Sequence, residues 1–217
     1  MFLNAAQARF NSILLSPWQS RVLMFFCGAI YPLGFAPFEI WPLALVSLIP
    51  LFLALLSTKV LSAFKLGYYW GLGAFSVGAS WVFVSINEFG FVPWPGAALM
   101  TAAFVAYLAL FKGLFAYACQ RLLVLTSPAL LLFIAPSFWW LSEYLQSVIF
   151  GGFPWLLIGY SQIDTALASL ASWFGVYGLG WVLVAITSGL SLALYEKKKS
   201  YVAAVVLLLA IGLVAWV

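Results

Sequence analysis

The chain has 217 residues, of which 66% are hydrophobic, 19% aromatic and only 6% charged, whereas a soluble domain carries about 25% charged residues. That balance excludes a water-soluble fold. The formal charge of +4 comes from nine basic residues set singly between apolar runs, apart from Lys197, Lys198 and Lys199, a placement that marks membrane topology and excludes nucleic acid as a partner.

In chain order, residues 1–20 are mixed and weakly amphipathic, with Arg9 and then Arg21 ahead of the first apolar run. Without a small-residue cleavage site, this stretch reads as a cytoplasmic segment, residues 1–21, leading into a retained first helix. Residues 22–217 then read as one transmembrane domain. Apolar runs long enough to cross about 30 Å of hydrocarbon, set against proline and glycine breakers, predict about seven transmembrane helices. These fall near residues 22–37, 42–57, 66–86, 97–120, 128–149, 166–195 and 201–217. The fold class is therefore all-α, a polytopic integral membrane helix bundle. The first two spans are short, and Pro32 and Pro50 favour kinks in them.

The third span carries Gly67, Gly71, Ala74 and Gly78 on one helical face, with a GxxxG pair that favours close helix packing. The fourth holds Lys112 in its cytoplasmic half, where a long stem lets the ammonium snorkel. The fifth holds Glu143, whose short side chain has no such exit and must face the bundle interior, an aqueous cavity or a headgroup amine. There is no histidine, and Cys27 and Cys119 lie in different spans without paired spacing. Histidine-based catalysis and metal ligation are thereby excluded, and no cofactor is expected.

An odd number of crossings places the termini on opposite sides. Arg9, Arg21, Lys59, Lys65, Arg121 and the triple lysine all fall on one side, which the positive-inside rule assigns to the cytoplasm, so the C-terminus looks toward the periplasm. The opposite connections hold Glu39, Glu88 and Asp164 with no basic residue, and Glu143 near them. They also hold Gly34-Phe35-Ala36-Pro37-Phe38, Val92-Pro93-Trp94-Pro95-Gly96 and Gly152-Phe153-Pro154-Trp155, bent and aromatic segments that proline and glycine keep out of helix. Each tryptophan taken singly reads as an interfacial anchor. Acids and prolines gathered with them on one side point to an outer cleft for lipid or peptide.

The residues of those outer connections resemble the N-terminal membrane region of the apolipoprotein N-acyltransferases, over essentially all 217 residues. Residues 34–48, with Pro37-Phe38-Glu39-Ile40-Trp41-Pro42, look like the family's opening turn. Residues 71–90 include Gly78-Ala79-Ser80-Trp81-Val82-Phe83-Val84-Ser85-Ile86, similar to the end of the family's third helix. Residues 143–164 carry the strongest likeness, with Glu143-Tyr144-Leu145, Gly152-Phe153-Pro154-Trp155 and Gly159-Tyr160-Ser161-Gln162-Ile163-Asp164. One departure is Gln146, where the family often has arginine.

The resemblance implies transfer of an acyl chain from a phospholipid, phosphatidylethanolamine above all, to the N-terminal amine of a diacylglyceryl-cysteine lipoprotein at the bacterial inner membrane. It also implies a periplasmic nitrilase-like domain after the seventh helix, with the cysteine nucleophile, glutamate base and lysine of a thioester mechanism. The sequence stops at Val217, so the expectation is a membrane part with no catalytic residues and no acyl transfer of its own, needing that domain as a partner. Its expected task is to place both lipid substrates. The expected substrate-binding residues are Trp81, Glu88, Glu143, Phe153, Pro154, Trp155, Tyr160, Gln162 and Asp164. Among them Glu88 or Glu143 would hold the phosphatidylethanolamine ammonium, Trp155 would wall the acyl path, and Asp164 would cap the sixth helix. Two other classes stay open: a transporter or channel whose pore uses Glu143 and Lys112, and a non-catalytic membrane scaffold.

Overall fold

A computed structural model describes residues 16–57 and 59–196. Every regular element among them is helical: α1 (Pro17–Ile30), α2 (Trp41–Leu55), α3 (Val60–Gly78), α4 (Trp81–Phe89), α5 (Trp94–Leu123), α6 (Leu131–Val148) and α7 (Ala171–Glu196). Helix starts follow local rules. Ser16 and Gln19 form a reciprocal capping box ahead of Pro17, and prolines stand in the first turns of α2 and α5, where a missing N–H costs nothing.

Two helical stretches, Trp94–Leu123 and Ala166–Glu196, are long and apolar enough to cross a membrane, and α3 with α4 makes a third if the pair, bent by 54°, is one span. The other expected spans are shorter or more interrupted as helices. The first is a 14-residue helix continued by a 3-10 turn, Tyr31–Gly34, and the second is the 15-residue α2 with Pro50 inside it. The fifth is the 18-residue α6 with Pro136 inside it, and of the stretches that do qualify the third breaks at Gly78 and the sixth is interrupted at Gly175, whose φ of +67° lies outside the helical region. The expected span 201–217 and most of the segment 1–21 lie outside the described residues.

Small residues set the helix contacts. Gly73 of α3 lies against the Phe25 carbonyl of α1, and Gly28 of α1 against the Trp70 carbonyl of α3, so a side chain at either position would strike backbone. Gly67 and Gly71 face Lys112, Ala109 and Ala116 of α5, the close approach that GxxxG spacing favours. An aromatic centre fills the middle of the bundle. Trp139 meets Trp70 at 5.6 Å and Phe115 at 5.1 Å between ring centroids, and Tyr31 meets Trp70 at 5.0 Å. The Trp70 indole N–H is satisfied by the Ser47 carbonyl at 2.9 Å.

Interhelical contacts sort the connections to two ends. The Tyr31 hydroxyl donates to the Leu156 carbonyl at 2.9 Å, and the Leu156 side chain sits against Gly78, so the connections after α1, α3 and α6 share one end. At the other, Tyr195 of α7 donates to the Leu56 carbonyl at 3.4 Å, and α3 begins there with Lys59 as α5 ends with Arg121. Lys112 does not snorkel. It is 2% exposed, and its ammonium turns inward to the face of Trp139, 4.3 Å from the ring centroid. A π face and a hydroxyl inside the bundle take the place of headgroup water.

Candidate functional site

The connection between α6 and α7 turns back into the bundle, and its backbone explains how. Phe150, Gly151 and Gly152 all have positive φ, of 54°, 87° and 74°. At Gly152 a side chain would meet the Ser147 carbonyl, so only glycine fits there. The Phe153 N–H then donates to the Gln146 carbonyl at 2.8 Å. The Gln146 side chain donates through Nε2 to the Phe153 carbonyl at 3.0 Å and the Trp155 carbonyl at 3.1 Å. One turn earlier on α6, Glu143 Oε1 accepts the Ile158 N–H at 2.8 Å. Two side chains one helical turn apart thus grip both ends of the turn 153–158, while Tyr31 holds its middle.

Leu156, with φ of 59°, drives its side chain into the bundle, and Leu157 and Ile158 are fully buried behind it. Among the described residues the non-glycine positions of positive φ are Glu39, Phe91, Phe150 and Leu156. Glu39 lies in the connection after α1, Phe91 in that between α4 and α5, and Phe150 and Leu156 in that after α6. Backbone strain of about 1–3 kcal/mol per such residue persists only where surrounding contacts enforce it.

Above the grip stands an aromatic cluster. Trp81 begins α4 just after the bend; its ring lies 5.4 Å from Trp155 and 6.3 Å from Phe153, and Phe104 of α5 meets Phe153 edge-on at 5.0 Å. Trp81 is 45% and Trp155 51% exposed, so their faces are open while Phe153 beneath is half-buried. Phe153 and Leu156 pack on a small core of Phe75, Val105 and Leu108. From there a shallow groove runs between α3–α4 and α5, lined by Leu72, Ser76, Phe83, Thr101 and Val105. The cluster and the groove meet at Val105, which lines the groove and belongs to the core on which Phe153 packs.

Below the cluster, Glu143 is 1% exposed and shares its Oε1 between the Ile158 N–H and the Trp139 indole N–H, both at 2.8 Å. Lys112 lies over the other part of that indole and donates to Ser142 Oγ at 3.4 Å, and Ser142 donates in turn to the Phe111 carbonyl at 3.3 Å.

The expected site residues divide on this geometry. Trp81, Phe153 and Trp155 come together, with exposed Pro154 between the last two. Glu143 lies inside the bundle beneath them, where its carboxyl is engaged by protein N–H groups and does not open to a headgroup. Gln162 is likewise fully buried, donating to Ser161 Oγ and accepting from Thr165 Oγ1, both at 3.0 Å. Tyr160 and Asp164 are exposed beyond the turn, and Glu88 is exposed at the end of α4. Asp164 does not cap the helix that follows. Thr165 does, its Oγ1 accepting the Leu167 N–H at 3.2 Å, because Thr165 has the extended backbone that an N-cap needs. Sequence reasoning passed over Tyr31, Phe104 and the gripping role of Gln146. Only Gln146 carried a signal, its three-residue spacing from Glu143.

The model of the apolipoprotein N-acyltransferase N-terminal domain matches residues 27–190. An apolipoprotein N-acyltransferase of Coxiella burnetii is 40% identical over 205 residues, covering 91% of this chain and 41% of the relative. That of Vibrio cholerae is 38% identical over 188 residues, 87% of this chain and 37% of the relative. That of Methylococcus capsulatus is 44% identical over 171 residues, 76% of this chain and 33% of the relative. The chain thus spans between 33% and 41% of the length of these relatives.

Proposed function

The chain belongs to the apolipoprotein N-acyltransferase N-terminal domain family, and from that premise we propose that it is the membrane part of an enzyme that N-acylates lipoproteins. In this reading residues 22–217 form one domain crossing the bacterial inner membrane about seven times, with residues 1–21 in the cytoplasm and the aromatic end of the bundle facing the periplasm. An acyl chain passes from a phospholipid, phosphatidylethanolamine above all, to the N-terminal amine of a diacylglyceryl-cysteine lipoprotein. The thioester chemistry belongs to a nitrilase-like domain, and this chain by itself positions lipids without transferring acyl groups.

The observation that carries the reading is the half-open cluster of Trp81, Phe153 and Trp155, whose Phe153 packs on the small core that includes Val105, a residue that also lines the apolar groove between α3–α4 and α5. Indole and phenyl faces offer an acyl chain a rigid apolar wall with a polar edge toward the headgroup. Phe153, Pro154 and Trp155 shape that wall, and Trp81 closes it from the α4 side. Exposed Glu88 receives the headgroup ammonium through a charge-assisted hydrogen bond. Tyr160 and Asp164 flank the acceptor side, whereas buried Glu143 serves the site by holding the turn that carries it, and buried Gln162 braces Ser161 and Thr165 beyond that turn.

The test uses the full chain in nanodiscs containing phosphatidylethanolamine with a diazirine in the acyl chain. Photolabelling is expected to concentrate on Trp81 and residues 153–155 and to fall by at least about threefold in Trp155→Ala, in proportion to a lost aromatic contact. Labelling spread evenly around the bundle would overturn the assignment. In parallel, N-acylation of a diacylglyceryl lipoprotein is expected only when a nitrilase-like domain is supplied, and transfer by the chain alone would refute the division of labour.

A further inference from the structure

A buried lysine and a buried glutamate on neighbouring membrane helices are not explained by the aromatic wall itself. We propose that Lys112, Trp139 and Glu143 form a strut, a set of positioning residues that fixes the height of the turn 153–158 and so the setting of Trp155 against Trp81. The proposal rests on the reading of that aromatic pair as the lipid-facing wall.

The strut is continuous. Lys112 Nζ lies 4.3 Å from the Trp139 ring centroid, Trp139 Nε1 donates to Glu143 Oε1 at 2.8 Å, and the same oxygen accepts the Ile158 N–H at 2.8 Å. Its lower end is fixed from two sides. Gly67 of α3 packs on the Lys112 carbonyl, and the Lys112 ammonium donates to Ser142 on α6, whose hydroxyl returns to Phe111 on α5. Trp139 cannot shift sideways, since Trp70, Phe115 and Tyr31 meet its ring edge-on within 6.4 Å. The upper end is the only backbone amide of the turn that Glu143 reaches among the described residues, and it lies three residues after Trp155.

Charge makes the three residues a unit. Lys112 and Glu143 form no direct ion pair within 4 Å, yet they touch one indole, at its face and at its N–H, and each acts electrostatically on the other. Removing one partner of such a buried pair leaves the other uncompensated, whereas removing both charges and keeping their shape restores a neutral interior. Glu143→Gln keeps an oxygen for the Trp139 and Ile158 donors. Lys112→Met keeps most of the stem without the ammonium.

The experiment reads hydrogen exchange of the Ile158 amide and acyl-diazirine phospholipid labelling of residues 153–155 for the full chain in nanodiscs. Lys112→Met is expected to speed Ile158 exchange by about tenfold or more and to lower labelling, and the double variant Lys112→Met with Glu143→Gln to return both within about threefold of the parent. Lys112→Arg, which keeps the charge, is expected to behave as the parent and covers the case in which the methionine variant fails to insert. Unchanged Ile158 exchange in Lys112→Met, a double variant as fast as the single one, or an arginine variant as fast as the methionine one would each overturn the strut. Trp155→Ala is run beside them. If it leaves lipid labelling intact the wall assignment fails, while the exchange rates still decide the strut.

Discussion

Glycines 151 and 152 separate backbone strain from steric exclusion within one turn. Gly151 has φ of +87° with no atom near its missing side chain, so Gly151→Ala meets only the cost of a left-handed residue, about 1–2 kcal/mol. Gly152, at φ 74° and ψ 151°, lies in a region that only glycine populates readily, at a cost of about 1–3 kcal/mol for any other residue. Its new methyl group would also strike the Ser147 carbonyl. Moving the chain to relieve that contact breaks the Phe153 N–H bond to Gln146 and the two bonds from the Gln146 amide, each worth about 0.5–1.5 kcal/mol. Gly152→Ala is therefore expected to loosen the turn by roughly 3–7 kcal/mol. Hydrogen exchange of the Phe153 and Ile158 amides in nanodiscs measures this, with about 1.4 kcal/mol per tenfold in rate. Gly151→Ala should accelerate exchange by about tenfold and Gly152→Ala by more than about a hundredfold. Equal rates in the two variants would refute the argument that the α6 grip and the Ser147 contact, more than local strain, hold the turn.

Other outcomes follow from the same geometry. Thr165→Val should cost about 1 kcal/mol through loss of the bond to the Leu167 N–H, read as faster exchange of that amide, while Asp164→Asn leaves it unchanged. Gly73→Leu should abolish the α1–α3 contact, because the side chain would enter the Phe25 carbonyl, and should appear as loss of monodisperse protein in mild detergent; the same change at Gly151 should not. Single cysteines at exposed Arg121 and exposed Ile163 should differ in labelling by an impermeant thiol reagent added to intact cells, with only the second reached from outside. Labelling of the Arg121 position alone would reverse the proposed orientation.

Helix order and the aromatic turns were legible in the sequence because both depend on local signals. Apolar runs and proline placement marked the succession of helices, and the glycine spacing of α3 marked a close-packing face, which Gly67 and Gly71 turn toward α5 while Gly78 meets Leu156. The bend after Gly78 was not legible, since residues 66–86 read as one apolar run while the backbone turns by 54° inside it. Asp164 and Thr165 are adjacent cap-formers, and the choice between them was decided by the extended backbone of Thr165, which composition does not encode. Tyr31 and Leu156 are 125 residues apart. No periodicity links such a pair, and their contact exists only once α1, α3 and α6 have packed.

Lys112 shows where a rule about single side chains gives way to tertiary structure. Snorkelling weighs an ammonium against hydrocarbon and finds headgroup water the nearest relief. Inside this bundle the alternative is the face of Trp139, a serine hydroxyl and a carboxyl beyond the indole. A pore would need Lys112 and Glu143 to face a common aqueous path, yet both are held against the Trp139 indole and both are at most 2% exposed. The carboxyl is spent on holding a loop amide, so the same two residues that a transport reading requires in water are engaged in fixing the turn beneath the aromatic wall. The buried charges therefore weigh toward a positioning role and against permeation, and a flux of ions through proteoliposomes that is lost in Glu143→Gln would reverse that weighing.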